Sequence, residues 1–63
     1  MLNELDIIQR AIEDFAKVQK NMMLAKEENA TKTYNNLKEE YISLKALLTV
    51  AGVNFAELDK IKE

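Results

Sequence analysis

Three pairs of neighbouring acidic residues have side chains of the type that general acid–base catalysis uses. These pairs are Glu13 and Asp14, Glu27 and Glu28, and Glu39 and Glu40. Acid–base catalysis needs two carboxyl groups that face one reacting centre, whereas adjacent residues on a helix point about 100° apart. We therefore interpret the three pairs as charges on a solvated helix face.

The other residues that catalysis or metal binding would need are missing or isolated. The chain has no histidine and no cysteine, so the usual nitrogen and sulfur ligands for zinc, copper and haem are absent. Ser43 is the only serine, and no histidine is present to activate it as a nucleophile. No glycine-rich phosphate loop occurs in the sequence. The sequence therefore predicts no enzymatic activity, no cofactor and no metal.

Length and composition indicate one small folded domain that spans residues 1–63. Hydrophobic residues make up 48% of the chain and charged residues 32%, which is too apolar for a disordered chain. The longest run that leans apolar, 46–53, is far shorter than the roughly 20 residues needed to cross a bilayer, and the N-terminus carries acids where a signal peptide carries bases. We expect a cytoplasmic protein without a membrane segment. The net charge of -2 gives no general attraction to nucleic acid.

Helix is the expected structure along most of the chain, since proline is absent and Gly52 is the only glycine. Asn3 is a suitable N-cap for a first helix over about 4–28. The apolar residues that follow it recur every three or four positions, which is typical of an amphipathic helix. They are Leu5, Ile8, Ile12, Phe15, Val18, Met22 and Ala25.

A second apolar stripe alternates steps of four and three residues, the pattern of a heptad seam. Its members are Ala30, Tyr34, Leu37, Tyr41, Leu44, Leu48 and Ala51. The two stripes differ in phase, and the slip falls in the polar stretch 26–33. We therefore predict a turn at about 29–32 and a second helix over about 33–51, which together form a helical hairpin. The alternative is one continuous helix over 4–51 that absorbs the slip as a change of supercoil.

The end of the chain predicts a short third helix. Gly52 suits the left-handed position after a helix end, and Asn54 followed by Glu57 is typical of a capping box. We expect this helix over about 55–62. The predicted fold class is thus all-α, a helical hairpin with a short third C-terminal helix, assembled as an oligomeric helical bundle or coiled coil.

Oligomerisation is expected because the apolar stripe of the first helix is wider than one neighbouring helix can cover. Chains below about 70 to 80 residues without a disulfide or a metal usually need such support. We predict a homo-oligomer, with a dimer favoured, and a protein partner. The expected partner or oligomer interface consists of Ile8, Ile12, Phe15, Met22, Tyr34, Leu37, Tyr41, Leu44 and Leu48, with the tyrosine hydroxyls at its wet rim.

These features predict a small regulator or assembly factor that binds a larger protein through an apolar helical face and self-associates. An alternative function comes from residues 47–61, whose apolar and glycine spacing resembles a helix-turn-helix motif and would imply a DNA-binding regulator. The resemblance is partial, because Leu48 stands where that motif usually has a small residue. Glu57 would also repel phosphate. The sequence therefore favours the protein-binding function and disfavours a nucleic-acid partner.

Overall fold

A computed structural model describes residues 4–62, and within this range the chain forms two α-helices and no strand. Helix α1 spans Glu4–Glu27 and helix α2 spans Thr31–Val50. The two helices pack against each other along their length, so the structure is the all-α hairpin predicted from the two stripes and not the single helix over 4–51. The predicted N-cap of the first helix, Asn3, lies outside the described residues.

The turn between the helices is closed by hydrogen bonds to the last carbonyl groups of α1. The Ala30 N–H donates to the Ala25 carbonyl oxygen (2.8 Å), and the Asn29 N–H donates to that of Lys26 (3.2 Å). Asn29 has a φ of 58°, in the left-handed region that asparagine tolerates better than most residues. This is a Schellman motif, and it ends α1 within the polar stretch where the phase slip predicted a turn. Helix α2 begins two residues before the predicted start.

Helix α2 ends in the same way. The Val53 N–H donates to the Leu48 carbonyl oxygen (2.9 Å), and the Gly52 N–H donates to that of Thr49 (3.1 Å). Gly52 has a φ of 77°, so the predicted left-handed position after the helix is confirmed. The motif turns the chain sharply after Ala51 and sends it back over the hairpin.

The core lies between the two helices and is centred on two stacked aromatic rings. The rings of Phe15 and Tyr41 lie 5.3 Å apart at an interplanar angle of 10°, and the ring of Phe55 meets Phe15 edge-on at 6.1 Å and 70°. The fully buried apolar residues are Ala11, Phe15, Val18, Met22, Ala25, Tyr41 and Leu48. Half-buried residues that pack against this core are Ile12, Tyr34, Leu37, Leu44, Val53, Phe55 and Ile61.

Residues 51–62, here called the C-terminal segment, cover one side of the hairpin without forming the predicted third helix. The segment begins like the N-terminus of a helix, because the Asn54 side chain accepts a hydrogen bond from the Ala56 N–H (3.2 Å). One turn follows, in which Leu58 and Asp59 donate their N–H groups to the Phe55 carbonyl oxygen (2.9 and 2.8 Å). The chain then leaves the helical path.

The single turn does not continue into a helix because Gln19 on α1 binds the backbone groups that a helix would need. Its Nε2 donates to the Leu58 carbonyl oxygen (2.9 Å), and its Oε1 accepts from the N–H groups of Lys60 and Ile61. In a helix these three groups would bond to others four residues away within the segment. Contacts with α1 therefore replace the helical hydrogen bonds.

This finding bears on the resemblance to a helix-turn-helix motif. That motif requires a second helix that lies in the DNA groove, and here it would fall within 54–61. No residue of the described C-terminal segment belongs to a helix in the structure. The structure thus gives the DNA-binding alternative no support.

Candidate interaction surfaces

A buried carboxylate joins the C-terminal segment to α2. Asp59 is 4% exposed, and its Oδ1 accepts hydrogen bonds from the Tyr41 hydroxyl (2.7 Å) and from the Lys62 N–H (2.8 Å). Its Oδ2 lies 3.0 Å from the Lys45 Nζ. The Lys45 ammonium also lies 5.7 Å from the centre of the Phe55 ring. The charge of Asp59 is therefore balanced by a cation and two neutral donors, as a buried carboxylate requires.

The electrostatics of this cluster favour the charged forms of both partners. Burial tends to raise the pKa of Asp59, but the hydrogen bonds from Tyr41, the Lys62 N–H and Lys45, with the charge of Lys45, outweigh it and hold the pKa below its ordinary value. The hydrogen bond to Asp59 is the main reason that the pKa of Lys45 is raised. At neutral pH the two groups therefore form an ion pair.

Gln19 provides the second polar attachment of the C-terminal segment. Its side chain is buried in α1, and both ends of its amide bond to backbone atoms of residues 58, 60 and 61. Among the described residues, no buried side-chain nitrogen or oxygen lacks a hydrogen-bond partner. The segment is thus held by its apolar packing and by hydrogen bonds that leave no buried polar side-chain group unpaired.

The sequence-based site prediction omitted Gln19, Lys45 and Asp59. Gln19 did carry a signal, because it occupies a position of the α1 stripe, four residues after Phe15 and three before Met22. A polar residue within an apolar stripe indicates a buried hydrogen-bond partner. Lys45 and Asp59 carried no comparable signal, since their contact depends on the path of the C-terminal segment.

The structure brings eight of the nine predicted interface residues together in or against the core of the single chain, and it places Ile8 apart from them, at the open end of the hairpin. Phe15, Met22, Tyr41 and Leu48 have no exposed surface, so in this conformation they present nothing to a second chain. The hydroxyl of Tyr41 bonds to buried Asp59 and does not lie at a wet rim. The remaining five residues are half-buried. They are Ile8, Ile12, Tyr34, Leu37 and Leu44. Their role in binding a partner stays a prediction.

A different apolar surface lies at the open end of the hairpin, where α1 begins and α2 ends. Ile7, Ile8, Leu47 and Val50 line a shallow groove there, together with Glu4 and Ala51. We call the four apolar residues the open-end patch. Val50 is 87% exposed, Ile7 47% and Leu47 45%. The patch thus joins large apolar side chains from both helices in one solvent-facing surface.

Most of the open-end patch faces away from the C-terminal segment. At about 100° per residue, Leu47 lies about 160° around α2 from Lys45, which binds the segment, and Ile7 lies about 120° around α1 from Gln19. Ile8 lies on nearly the same face of α1 as Gln19 but about 16 Å closer to the start of the helix. The groove of the patch is lined by no residue of the segment beyond Ala51. The segment therefore leaves the patch uncovered.

The described part of the chain shows neither a metal-binding cluster nor a membrane-spanning helix. Residues 4–62 hold no group of three or more acidic, histidine or cysteine side chains placed to bind a metal ion. Neither of the two helices is long and apolar enough to span a bilayer. The chain matches no protein-family model, no curated protein and no solved structure.

Proposed function

We propose that this protein is a small non-enzymatic interaction module, a regulator or assembly factor that binds an amphipathic helix of a larger protein through the open-end patch. The observation that carries the proposal is the exposure of Ile7, Leu47 and Val50 side by side on two adjoining helices. Apolar side chains from both helices line a groove there, and an apolar groove is the kind of surface that accepts the apolar face of another helix. The expected cytoplasmic location is part of the same proposal.

The size of the exposed surface supports this proposal. The chain exposes 4925 Å², whereas a folded monomer of 7.2 kDa is expected to expose about 4,100 Å². The excess of several hundred Å² is on the order of one partner's share of a standard interface, roughly 800 Å². An interface centred on the patch would have to extend over neighbouring surface to cover this whole excess.

The energy available at the patch is also sufficient. Fully burying an exposed valine, leucine or isoleucine side chain contributes about 1.5–3 kcal/mol, and because Ile7 and Leu47 are already half-buried, the three together contribute roughly 3–5 kcal/mol. This is comparable with the stability of a whole small domain. In the absence of the partner, the same surface accounts for the proposed self-association, since two copies of the patch can cover each other.

Sedimentation equilibrium over a wide concentration range, with circular dichroism on the same samples, tests the proposal. We expect reversible dimerisation of the wild-type chain, and we expect the double variant Leu47→Lys, Val50→Lys to stay monomeric with unchanged helix content. Ile42→Lys is the matched control, because Ile42 is also on α2 and 54% exposed but does not line the patch. A wild-type chain that stays monomeric throughout, or a dimer that both sets of variants weaken equally, would contradict the proposal.

A further inference from the structure

We propose that the partner helix runs along the whole side of the hairpin that the C-terminal segment leaves open, here called the uncovered side. The same helix carries arginine or lysine in its middle turn, between large apolar residues at its two ends. This inference rests on the proposed function, since it gives the length and the charge of the helix that binds the open-end patch. A second groove and two carboxylates between the grooves support it.

The second groove lies on the same side as most of the open-end patch, near the turn between the helices. Asn21 and Leu24 from α1 and Thr33 and Leu37 from α2 are among the residues that line it, and no described residue of the C-terminal segment does so. Leu24 is 46% exposed. The uncovered side thus offers apolar surface to a second chain at both ends of the hairpin.

The two grooves are aligned along the hairpin. Fourteen residues separate Ile7 from Asn21 on α1, and fourteen separate Thr33 from Leu47 on α2. Such an interval is four helical turns to within about 40°, and it extends over roughly 21 Å. The residues at its two ends therefore face nearly the same way. One straight helix of about five turns can reach both grooves, and it covers the surface that lies between them.

Two carboxylates lie midway between the grooves. Asp14 follows Ile7 by seven residues on α1, and this interval is close to two turns. Glu40 precedes Leu47 by seven residues on α2. Each carboxylate therefore lies on the same side of its helix as the residue of the open-end patch. Both acidic residues are exposed, and within residues 4–62 neither forms a salt bridge.

These two carboxylates determine the charge of the partner helix. A helix that packs over Asp14 and Glu40 removes them from water, which is costly unless a cation pairs with each of them. Arg10 and Lys17 lie one turn before and after Asp14, but about 40° and 60° further round α1 from the core. The pairing cations must therefore come from the partner. Arginine fits best, because its guanidinium binds a carboxylate through two hydrogen bonds.

The same carboxylates disfavour a second copy of this chain as the occupant of the whole uncovered side. Two copies packed face to face along this side would bring Asp14 and Glu40 of both chains into one interface. Like charges placed together in an interface repel each other. Self-association through the open-end patch alone avoids this contact, because the patch lies two turns away from the carboxylates.

The test uses two fluorescently labelled synthetic helical peptides of about five turns, with binding to the full chain followed by anisotropy. Both peptides carry leucines at their two ends, and their middle turns differ by two arginines in one and two glutamates in the other. We expect the arginine peptide to bind the wild-type chain about tenfold more tightly than the glutamate peptide. Raising the NaCl concentration from about 0.05 to about 0.5 M should reduce this preference, because salt screens exposed charges.

Variants of the chain locate the preference on the uncovered side. Asp14→Asn with Glu40→Gln should bind both peptides about equally, and Asp14→Lys with Glu40→Lys should prefer the glutamate peptide. Glu13→Gln with Glu39→Gln is the matched control, because these neighbouring acidic residues are also exposed but point about 100° away. The control pair should keep the wild-type preference. Circular dichroism on each variant measures whether the helix content is kept.

The possible outcomes separate this inference from the proposed function. If the wild-type chain binds both peptides equally, and Leu47→Lys with Val50→Lys abolishes both, the patch binds a helix and the inferred charge is wrong. The assignment to the two carboxylates is also wrong if the control pair loses the preference to the same extent. No binding of either peptide at millimolar concentration would contradict the proposed function and this inference with it. Amide shifts on dilution that extend from Ile7 to Asn21 would assign the uncovered side to a second copy and overturn the inference.

Discussion

The two sides of the helical hairpin differ in how their apolar surface is covered. On one side the C-terminal segment packs Phe55 and Ile61 onto the core and is held by Gln19 and Asp59. At the open end, the patch leaves Val50 and its neighbours in solvent. The difference shows that a short segment without helix can complete a core that two helices alone would leave open. The open-end patch then remains available to a second chain.

The covered side also differs in chemistry. It combines apolar packing with satisfied polar contacts, which fix the position of the segment. The open-end patch relies on apolar contacts, which are compatible with many partners because they have little directional character. We therefore expect the covered side to determine folding and the uncovered side to determine association.

The largest difference in stability is expected between a truncation to alanine in the core and the same truncation in the open-end patch. Phe15→Ala removes a ring that contacts both Tyr41 and Phe55 in the core, and we expect it to lower the free energy of unfolding by about 3–5 kcal/mol. Val50→Ala should change it by less than about 0.5 kcal/mol, since Val50 is mostly exposed. Urea unfolding followed by circular dichroism measures both. Similar losses for the two variants would remove the distinction between the regions.

A smaller effect is expected when the attachment of the C-terminal segment is removed and the helices are kept. Gln19→Leu keeps a side chain of similar size but leaves backbone groups of residues 58, 60 and 61 without their hydrogen-bond partner. We expect it to lower the free energy of unfolding by about 2 kcal/mol. Hydrogen exchange at the Lys60 and Ile61 amides should become faster. Gln9→Leu, an exposed position on the same helix, is the control and should leave exchange unchanged. Normal protection in Gln19→Leu would refute the role of this amide.

A pH dependence of the covered side follows from Asp59. Its folded-state pKa lies below the unfolded value of about 3.9, so its stabilising effect is present above that value and is lost as pH falls through the folded pKa. Lys45 has a raised pKa, so its contribution is lost only as pH rises above the ordinary lysine range. We expect the wild-type chain to lose stability in acid more steeply than Asp59→Asn. Parallel acid profiles for the two chains would refute the ion pair's contribution.

The smallest effect on stability, with a clear effect on association, is expected at Val50, which is 87% exposed in the open-end patch. Leu44, by contrast, belongs to the predicted interface and lies half-buried beside the core. We therefore expect Leu44→Glu to affect both folding and assembly. Val50→Ser should reduce dimerisation alone, with a change in unfolding free energy within about 0.5 kcal/mol. Calorimetry and sedimentation on the same samples separate the two effects.

Local features of the sequence were sufficient to predict the two helices and the turns that end them. The apolar stripes through Phe15 and Tyr41 are repeated every three or four residues, and this spacing depends on residues close in the chain. Asn29 and Gly52 take the left-handed conformations that such residue types favour at helix ends. These parts required no knowledge of distant contacts.

The path of the C-terminal segment was not predictable in the same way. Its local signal, Asn54 followed by Glu57, predicted a helix, but contacts with Gln19, about 40 positions earlier in the chain, override that preference. The prediction of an interface between chains missed the C-terminal segment for the same reason. Tyr41 and Phe15 were expected in an interface because the apolar stripe of the first helix is wider than one neighbouring helix can cover, whereas in the structure Phe55 of the segment packs on Phe15 and both residues are buried within one chain.

Heteronuclear amide NMR spectra over a dilution series test the central claim most directly, since they report on both sides of the hairpin at once. We predict concentration-dependent shifts at Ile7, Ile8, Leu47 and Val50, with constant, exchange-protected signals at Lys60 and Ile61. Shifts centred on Lys60 and Ile61, or rapid exchange of these amides at all concentrations, would show that the C-terminal segment does not cover the hairpin in the way described.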